Sequence, residues 1–317
     1  MAITWRPATW NDIEPCLCLQ PSHRGDALVG LDACLRWWQR LVDHPYFISA
    51  VLEANPPIQG YRLIGFGAAI IATCKFGNAE LLDPRPDIAS RIFASFDSES
   101  SVLATRDELA SANAGDGVDV VLIFNARRDH ILNPAERHEV EMLSVTSFAE
   151  QLAGFRIRRI LSQTTSKPIT DFQRRSAEFR PIAEFPDAGE VLHLMTKESA
   201  MALPGSIANV IFGFREPVLR LRESDQQLLL AALKGATDTE LALRLNITLS
   251  AVKARWRSTF ARIEEVMPAL VSDSEDRDGR GVQKRHRVLA YVRAHMEELR
   301  PYDWRTQGDA NAAGSMF

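Results

Sequence analysis

Residues 221–263 constrain the fold more than any other part of this chain, because three short amphipathic segments follow one another there. The segments are separated by residues that cap helices or allow the sharp turns that end them: Ser224, Gly235, Thr237 or Asp238, Asn246, and Thr248 or Ser250. Their positions are those expected for helix starts and stops. The pattern predicts three consecutive helices joined by tight turns.

The apolar residues of this stretch are spaced for two helices that cross, with small Ala242 at the closest approach. They are Leu241, Leu245, Ile247 and Val252. The third predicted helix is basic, since residues 250–262 contain no acidic residue and include Lys253, Arg255, Arg257 and Arg262. The whole chain has a net charge of -4, so affinity for nucleic acid would have to come from such a local patch.

Together these residues resemble the DNA-binding domain of the LuxR family of bacterial transcriptional regulators. The resemblance runs through Leu221, Gly235-Ala236-Thr237, Glu240-Leu241-Ala242, Leu245, Ile247-Thr248 and Ala251-Val252-Lys253. It implies double-stranded DNA as the partner, with Lys253, Ala254 and Arg257 facing the major groove and Thr237 and Arg255 near phosphates. Ser250, at the start of the third helix, is also a DNA-binding candidate. The alternatives are a plain helical subdomain with solvated cations, or a helix-turn-helix used for protein contacts.

Length and composition predict a two-domain soluble protein, since the chain has 317 residues, 46% of them hydrophobic and 25% charged. The first residues lack the layout of a signal peptide, and no apolar run of about 18 residues occurs. We therefore expect a cytoplasmic protein with no membrane partner. The cysteines, Cys16, Cys18, Cys34 and Cys74, lie in apolar stretches and are interpreted as buried thiols rather than a metal site.

The first 200 residues alternate between strand and helix patterns. Strands are predicted near residues 3–5, 46–54, 61–73, 118–124, 155–161 and 191–195, with a turn at 55–57 between the second and third. Residues 118–124 are the most strand-like and are expected to be central. A long helix is predicted from Asn133 or Pro134 to Gly154. Residues 97–117 are polar and are expected to be an irregular insertion. The order predicts a mixed α/β sheet covered by helices.

This order resembles the fold of GNAT-type N-acetyltransferases, as do residues 3–12 and residues 172–182. The resemblance implies that the loop after the central strand holds the pyrophosphate of acetyl-CoA through glycines. Here that loop, residues 125–133, has no glycine. Arg127 and Arg128 are interpreted as solvated loop charges, although they could neutralise phosphate. The glycines of residues 62–68 fit a phosphate-loop pattern but lie in a predicted strand, and a phosphate loop must open a helix.

The predicted organisation is a GNAT-like sensor or interaction domain at 1–204, a linker at 205–220, a LuxR-like helix-turn-helix domain at 221–270 and a C-terminal helix at 282–300. The last helix either forms a homodimer or packs on its own domain. The predicted function is a DNA-binding transcriptional regulator that senses a small molecule or a partner protein, without enzymatic activity or cofactor. The alternative is an N-acetyltransferase fused to a DNA-binding module, and binding of acyl-CoA is left open.

Overall fold

The predicted central strand lies in the middle of a mixed sheet. The computed structural model describes residues 2–19, 31–42, 44–96, 102–164, 169–171, 173, 178–271 and 280–304. Within these ranges the sheet has seven strands in the order β1-β2-β3-β4-β5-β7-β6. They are β1 Ala2–Arg6, β2 Ile48–Ile58, β3 Tyr61–Ala72, β4 Val118–Arg127, β5 Ile157–Thr164, β6 Arg180–Phe185 and β7 Glu190–Thr196. Only β4 and β5 pair in parallel, so the predicted mixed α/β sheet is confirmed.

Helices cover the sheet and also follow it in the chain. Those before residue 214 are α1 Trp10–Leu17, α2 Leu31–Val42, α3 Cys74–Leu82, α4 Ile88–Ser95, α5 Arg106–Ala114, α6 Pro134–Leu152, α7 Lys197–Met201 and α8 Ile207–Ile211. Those after it are α9 Glu223–Leu233, α10 Asp238–Arg244, α11 Leu249–Val266, α12 Pro268–Val271 and α13 Arg280–Ala294. None of the described helices has the length and apolar content needed to cross a bilayer.

Two groups of residues make most of their contacts internally. The first unit comprises Met1–Thr105, Gly117–Leu152 and Ile157–Gly213, and the second comprises Arg106–Asp116, Ala153–Arg156 and Phe214–Phe317. The second unit therefore includes α5 and residues 153–156, which the sequence analysis placed within 1–204. Asn113 of α5 donates through Nδ2 to the carbonyl oxygen of Pro301 (2.7 Å). Residues 97–117 are thus not simply an irregular insertion.

The sheet of the first unit has an apolar layer on each side. Because strand side chains alternate in direction, neighbouring Val51 and Leu52 belong to different clusters. One cluster packs the sheet against α1, α2 and α4 around the buried Trp38. The other packs β1 to β3 against α6 through Val140. Strand β4 is the fourth of the seven strands and therefore lies in the interior of the sheet.

The helices of the second unit share one apolar core. Its buried members include Leu228, Leu229, Leu241, Val252, Val288 and Val292, from α9, α10, α11 and α13. The last helix thus packs on its own unit, which is one of the two interpretations given for it. It runs to Ala294 and is followed by a short 3-10 turn at Met296–Leu299.

Several local predictions need correction. The turn between β2 and β3 falls at Gln59 and Gly60, which both have positive φ, because β2 continues through residues 55–57. Helix α3 and strand β6 were not in the predicted order. The first helix of the 221–263 stretch begins at Glu223, and the Asp225 side chain accepts from the backbone of Arg222 (3.1 Å). The sequence also predicts a helix at residues 169–179, part of which lies outside the described residues.

Candidate functional site

Strands β4 and β5 separate part of the way along the sheet. Their pairing runs from Val118 with Ile157 to Leu122 with Ser162. Beyond that pair β4 continues to Arg127 and β5 to Thr164, yet within the described ranges residues 124–127 pair only with β3 and residue 123 pairs with neither strand. An edge without a strand partner presents backbone N–H and C=O groups that can bind another extended chain. The first unit therefore contains an opening in the middle of its sheet.

A β-bulge lies where the strands separate. Ala68 of β3 faces Phe124, whereas the adjacent Ala69 faces Leu122, so Ile123 is an extra residue on β4. A bulge bends its strand and increases the local twist. It accounts for the departure of β4 from β5 directly after Leu122.

A cavity of about 110 Å³ occupies this region. Most of its walls are apolar, and four phenylalanines contribute: Phe66, Phe124, Phe148 and Phe179. Gly67 of β3 and Ser144 of α6 also line it. The sequence alone does not assign these walls, because they come from segments distant in sequence.

The charged wall of the cavity consists of Arg127 and Glu141. The Arg127 guanidinium is 5% exposed, and its Nη2 lies 3.3 Å from Asp129 Oδ2 and 3.6 Å from Glu141 Oε1. Its Nε is buried without a hydrogen-bond partner among the described residues. One guanidinium thus faces the carboxylates of both Asp129 and Glu141.

The loop after β4 differs from the prediction. Residues 125–127 belong to β4, and a 3-10 turn at Asp129–Ile131 leads to α6. Arg127 and Arg128 are not solvated loop charges: the first is buried, and the guanidinium of Arg128 lies over the Tyr61 ring, 4.3 Å from its centroid. Arg128 Nε also donates to the carbonyl oxygen of Leu63 (3.1 Å).

The chain itself caps the start of α6. Asn133 Oδ1 accepts from the backbone N–H of Glu136 (3.0 Å), and the Glu136 carboxylate accepts from that of Asn133 (2.9 Å). This reciprocal arrangement satisfies donors that would otherwise face solvent or an anion. A phosphate bound near this turn would have to rely on side chains.

The DNA-binding candidates lie on or near α11 and differ in exposure. Lys253, Ala254 and Arg257 are exposed, and Arg255 is half-buried. Arg262 is turned toward α9, with its Nε 3.2 Å from Asp225 Oδ2. Of the four cations in the predicted basic helix, Arg262 therefore forms an ion pair within the unit.

Thr237 and Ser250 are exposed, but their hydroxyl groups already have protein partners. The Thr237 hydroxyl accepts from the Glu240 backbone N–H (3.3 Å) and donates to the Glu240 carboxylate (2.9 Å). Hydrogen bonds from the backbone N–H and hydroxyl of Thr237 lower the pKa of Glu240. Ser250 Oγ lies 2.9 Å from Thr248 Oγ1. Both threonines cap helices, as the sequence predicted for Thr237 and Thr248.

Arg285 of α13 is a structural residue that the sequence analysis missed. Its guanidinium donates to Asp238 Oδ1 (2.7 Å) and to the carbonyl oxygen of Ala236 (3.0 Å). It also lies over the Trp256 ring, 4.6 Å from the centroid. One side chain thus joins α13 to α11 and to the turn before α10.

The described cysteine side chains differ from the prediction of uniformly buried thiols. Cys16 is buried, Cys74 is half-buried and Cys18 is exposed. Burial raises the pKa of the Cys16 thiol to about 12. The side chain of Cys34 lies outside the described part.

A comparison with models of known protein families finds no match to this chain, and a comparison with curated proteins finds none either. Among solved structures, the C-terminal condensation domain of Ebony, in complex with beta-alanyl-dopamine, is 13% identical over 62% of this chain and 99% of its own, with a TM-score of 0.37. Arabidopsis thaliana NAA60 in complex with acetyl-CoA is 16% identical over 62% and 99% (TM-score 0.35). The loading GNATL domain of CurA from Lyngbya majuscula is 11% identical over 59% and 77% (TM-score 0.31).

This finding corrects the prediction that the chain is not an enzyme, since the similar structures include complexes with acetyl-CoA and CoA. That prediction rests on the missing glycines of the loop after β4. Missing glycines remove one way of holding phosphates, but they leave the sheet, its opening and its cavity in place. The seven-stranded mixed sheet of the first unit agrees with the predicted GNAT-like fold, whereas the LuxR-type resemblance stays a prediction.

Proposed function

We propose that the first unit binds an acyl-CoA thioester in the opening between β4 and β5 and transfers its acyl group to an amine. The observation that carries this proposal is the unpaired edge of β4 beyond Leu122, with the cavity beside it. The pantetheine arm of CoA is an extended chain with amide groups. Such a chain can add to an exposed strand edge through main-chain hydrogen bonds.

The chemistry of this transfer balances without any further reagent. The nitrogen lone pair of a neutral amine attacks the thioester carbonyl carbon, the carbon–sulfur bond breaks, and the sulfur leaves with the electron pair. The amine nitrogen loses a proton, and the CoA thiolate takes one up. The reaction requires donors that stabilise the carbonyl oxygen as it gains charge, and the backbone N–H groups near the bulge at Ile123 are suited to that role.

Side chains would hold the phosphates of CoA in this proposal. The loop after β4 lacks glycines, and the first turn of α6 is capped by Asn133 and Glu136. Arg137 is exposed in this turn, and its guanidinium already donates to the carbonyl oxygen of Asp129 (3.0 Å). Because guanidinium groups recognise phosphate well, Arg137 is the strongest candidate for such a contact.

Calorimetric titration of the full chain with acetyl-CoA and CoA tests binding, and release of free thiol with a panel of primary amines tests transfer. Ser144→Phe places a ring in the cavity, whereas Ser144→Ala removes only a hydroxyl that bonds the helix's own Val140 carbonyl oxygen (2.7 Å). We expect the first variant to lose thioester binding and the second to keep it. If the folded wild type shows neither binding nor thiol release, this proposal is wrong.

The second unit supports a second function, DNA binding by a helix-turn-helix. The observation that favours it is the exposed row of Lys253, Ala254 and Arg257 on α11. Exposed cations on one helix suit the phosphates and base edges of a major groove. With both proposals the protein is an acyltransferase joined to a DNA-binding unit. Fluorescence anisotropy with duplex DNA over a range of salt concentrations tests this part, since binding driven by phosphates weakens steeply with salt.

A further inference from the structure

We infer that the acyl group is larger than acetyl: an apolar, aromatic acyl chain that fills the cavity beside β4. This inference rests on the proposed function and specifies its acyl donor. It is carried by the size and lining of the cavity, by the pairing of its carboxylate, and by Gly67 in its wall.

The cavity is too large for the methyl group of an acetyl thioester. Its volume is about 110 Å³, and an apolar protein cavity of about 150 Å³ binds benzene. Four phenylalanine rings contribute to its walls: Phe66, Phe124, Phe148 and Phe179. Aromatic groups pack well against one another in offset or edge-to-face arrangements. A planar apolar group close to the size of a benzene ring therefore suits this space.

The charged wall makes the cavity a poorer site for the amine. Among the described residues that line it, Glu141 is the carboxylate, and it lies 3.6 Å from the guanidinium of Arg127. This carboxylate is therefore already paired with a cation of the protein, and an incoming ammonium group would have to compete with Arg127 for it. The neutral acyl chain of the donor requires no base and gains from the apolar walls.

Gly67 determines how much of this space is open. A Cβ placed on Gly67 would have Phe148 Cε2 as its nearest neighbour, at 3.9 Å, which is an ordinary van der Waals contact. On the same strand, a Cβ on Gly65 would lie 3.1 Å from Leu52 Cδ1. An alanine at position 67 thus fits without strain, whereas a larger side chain there occupies the cavity.

Titration calorimetry with acetyl-CoA and phenylacetyl-CoA tests the inference in the full chain. Because the phenyl ring would be buried against apolar walls, we expect phenylacetyl-CoA to bind at least about tenfold more tightly. Gly67→Val should bring the two affinities to within about twofold of each other, because the branched side chain takes up the space. Gly67→Ala is the matched control and should keep most of the preference.

The possible outcomes distinguish this inference from the proposed function on which it rests. If acetyl-CoA and phenylacetyl-CoA bind the wild type equally, the donor assignment is wrong while the proposed function stands. If neither thioester nor CoA binds, both fail. Should Gly67→Val not fold, as judged by circular dichroism, Val145→Phe replaces it, since Val145 of α6 also lines the cavity. A phenylacetyl preference unchanged in that folded variant would contradict the cavity as the acyl site.

Discussion

Gly77 of α3 lies so close to Asp119 of β4 that position 77 has no room for a side chain. A Cβ on Gly77 would be 2.0 Å from Asp119 Oδ2 and 2.9 Å from Arg159 Nη2. Asp119 is fully buried and accepts hydrogen bonds from Arg158 Nε (2.8 Å) and Arg159 Nη2 (2.7 Å). The helix thus packs directly on a buried ion network at the start of β4.

Gly77→Ala is expected to destabilise the first unit by about 3 kcal/mol or more, because the methyl group must displace a buried carboxylate from its partners. Denaturant unfolding followed by circular dichroism measures the change. Gly67→Ala is the matched control and should change the free energy of unfolding by no more than about 1 kcal/mol in either direction, because its methyl group meets no clash. Equal stability of the two variants would show that α3 does not pack this tightly on Asp119.

Lys253→Ala and Arg257→Ala should each weaken DNA binding and lower the salt slope by about one unit for each phosphate that is no longer neutralised. Folding should be unaffected because both side chains are exposed. The control is Arg62→Ala, which removes one charge from a 71% exposed side chain in the first unit. Salt slopes that stay the same in all three variants would argue against α11 as the DNA-binding helix.

Arg262→Ala, unlike these two variants, should lower the stability of the fold. Removing this guanidinium leaves Asp225, 3% exposed, with one partner fewer in a buried site. Loss of one member of a buried pair costs about 3–5 kcal/mol, and the partial exposure of Arg262 favours the lower end. Thermal unfolding measures the loss, and Arg257→Ala serves as the comparison on the same helix. A melting temperature equal to that of Arg257→Ala would exclude a structural role for this ion pair.

Glu298 should make stability depend on pH. This buried carboxyl accepts from the backbone N–H groups of Val218 and Leu219 (both 2.9 Å), and burial raises its pKa. Since the folded pKa exceeds the unfolded value of about 4.3, its contribution is full below that value. It is lost as pH rises through the folded pKa. The free energy of unfolding, measured with denaturant between about pH 4 and about pH 8, should therefore decline less for Glu298→Gln than for the wild type. Parallel curves for the two proteins would contradict this.

Local signals in the sequence were sufficient for many elements. Helix α6 begins with Pro134, as predicted, and Gly154 beyond its end has a positive φ. Thr237 and Thr248 cap their helices because an oxygen near the backbone can accept from the first turn. Such features involve residues only a few positions apart, so they can be recognised without knowledge of the fold.

The parts that could not be predicted depend on residues distant in sequence. Helix α5 lies in a polar stretch, and Asn113 contacts Pro301, 188 positions away. Arg127 resembles a loop charge in the sequence, but its pairing with Glu141 depends on the approach of β4 to α6. The separation of β4 from β5 at Leu122 is likewise a property of three strands together, and no residue type marks it.

Amide hydrogen exchange with and without saturating acetyl-CoA tests most directly whether the opening between β4 and β5 binds the thioester. The measurement uses mass spectrometry on the full chain, with Ser144→Phe as the control. We predict slower exchange in peptides that contain residues 123–127, because an added extended chain would pair with that edge. The effect should disappear in the control. Unchanged exchange at residues 123–127 in the wild type, at acetyl-CoA concentrations up to the millimolar range, would contradict the account.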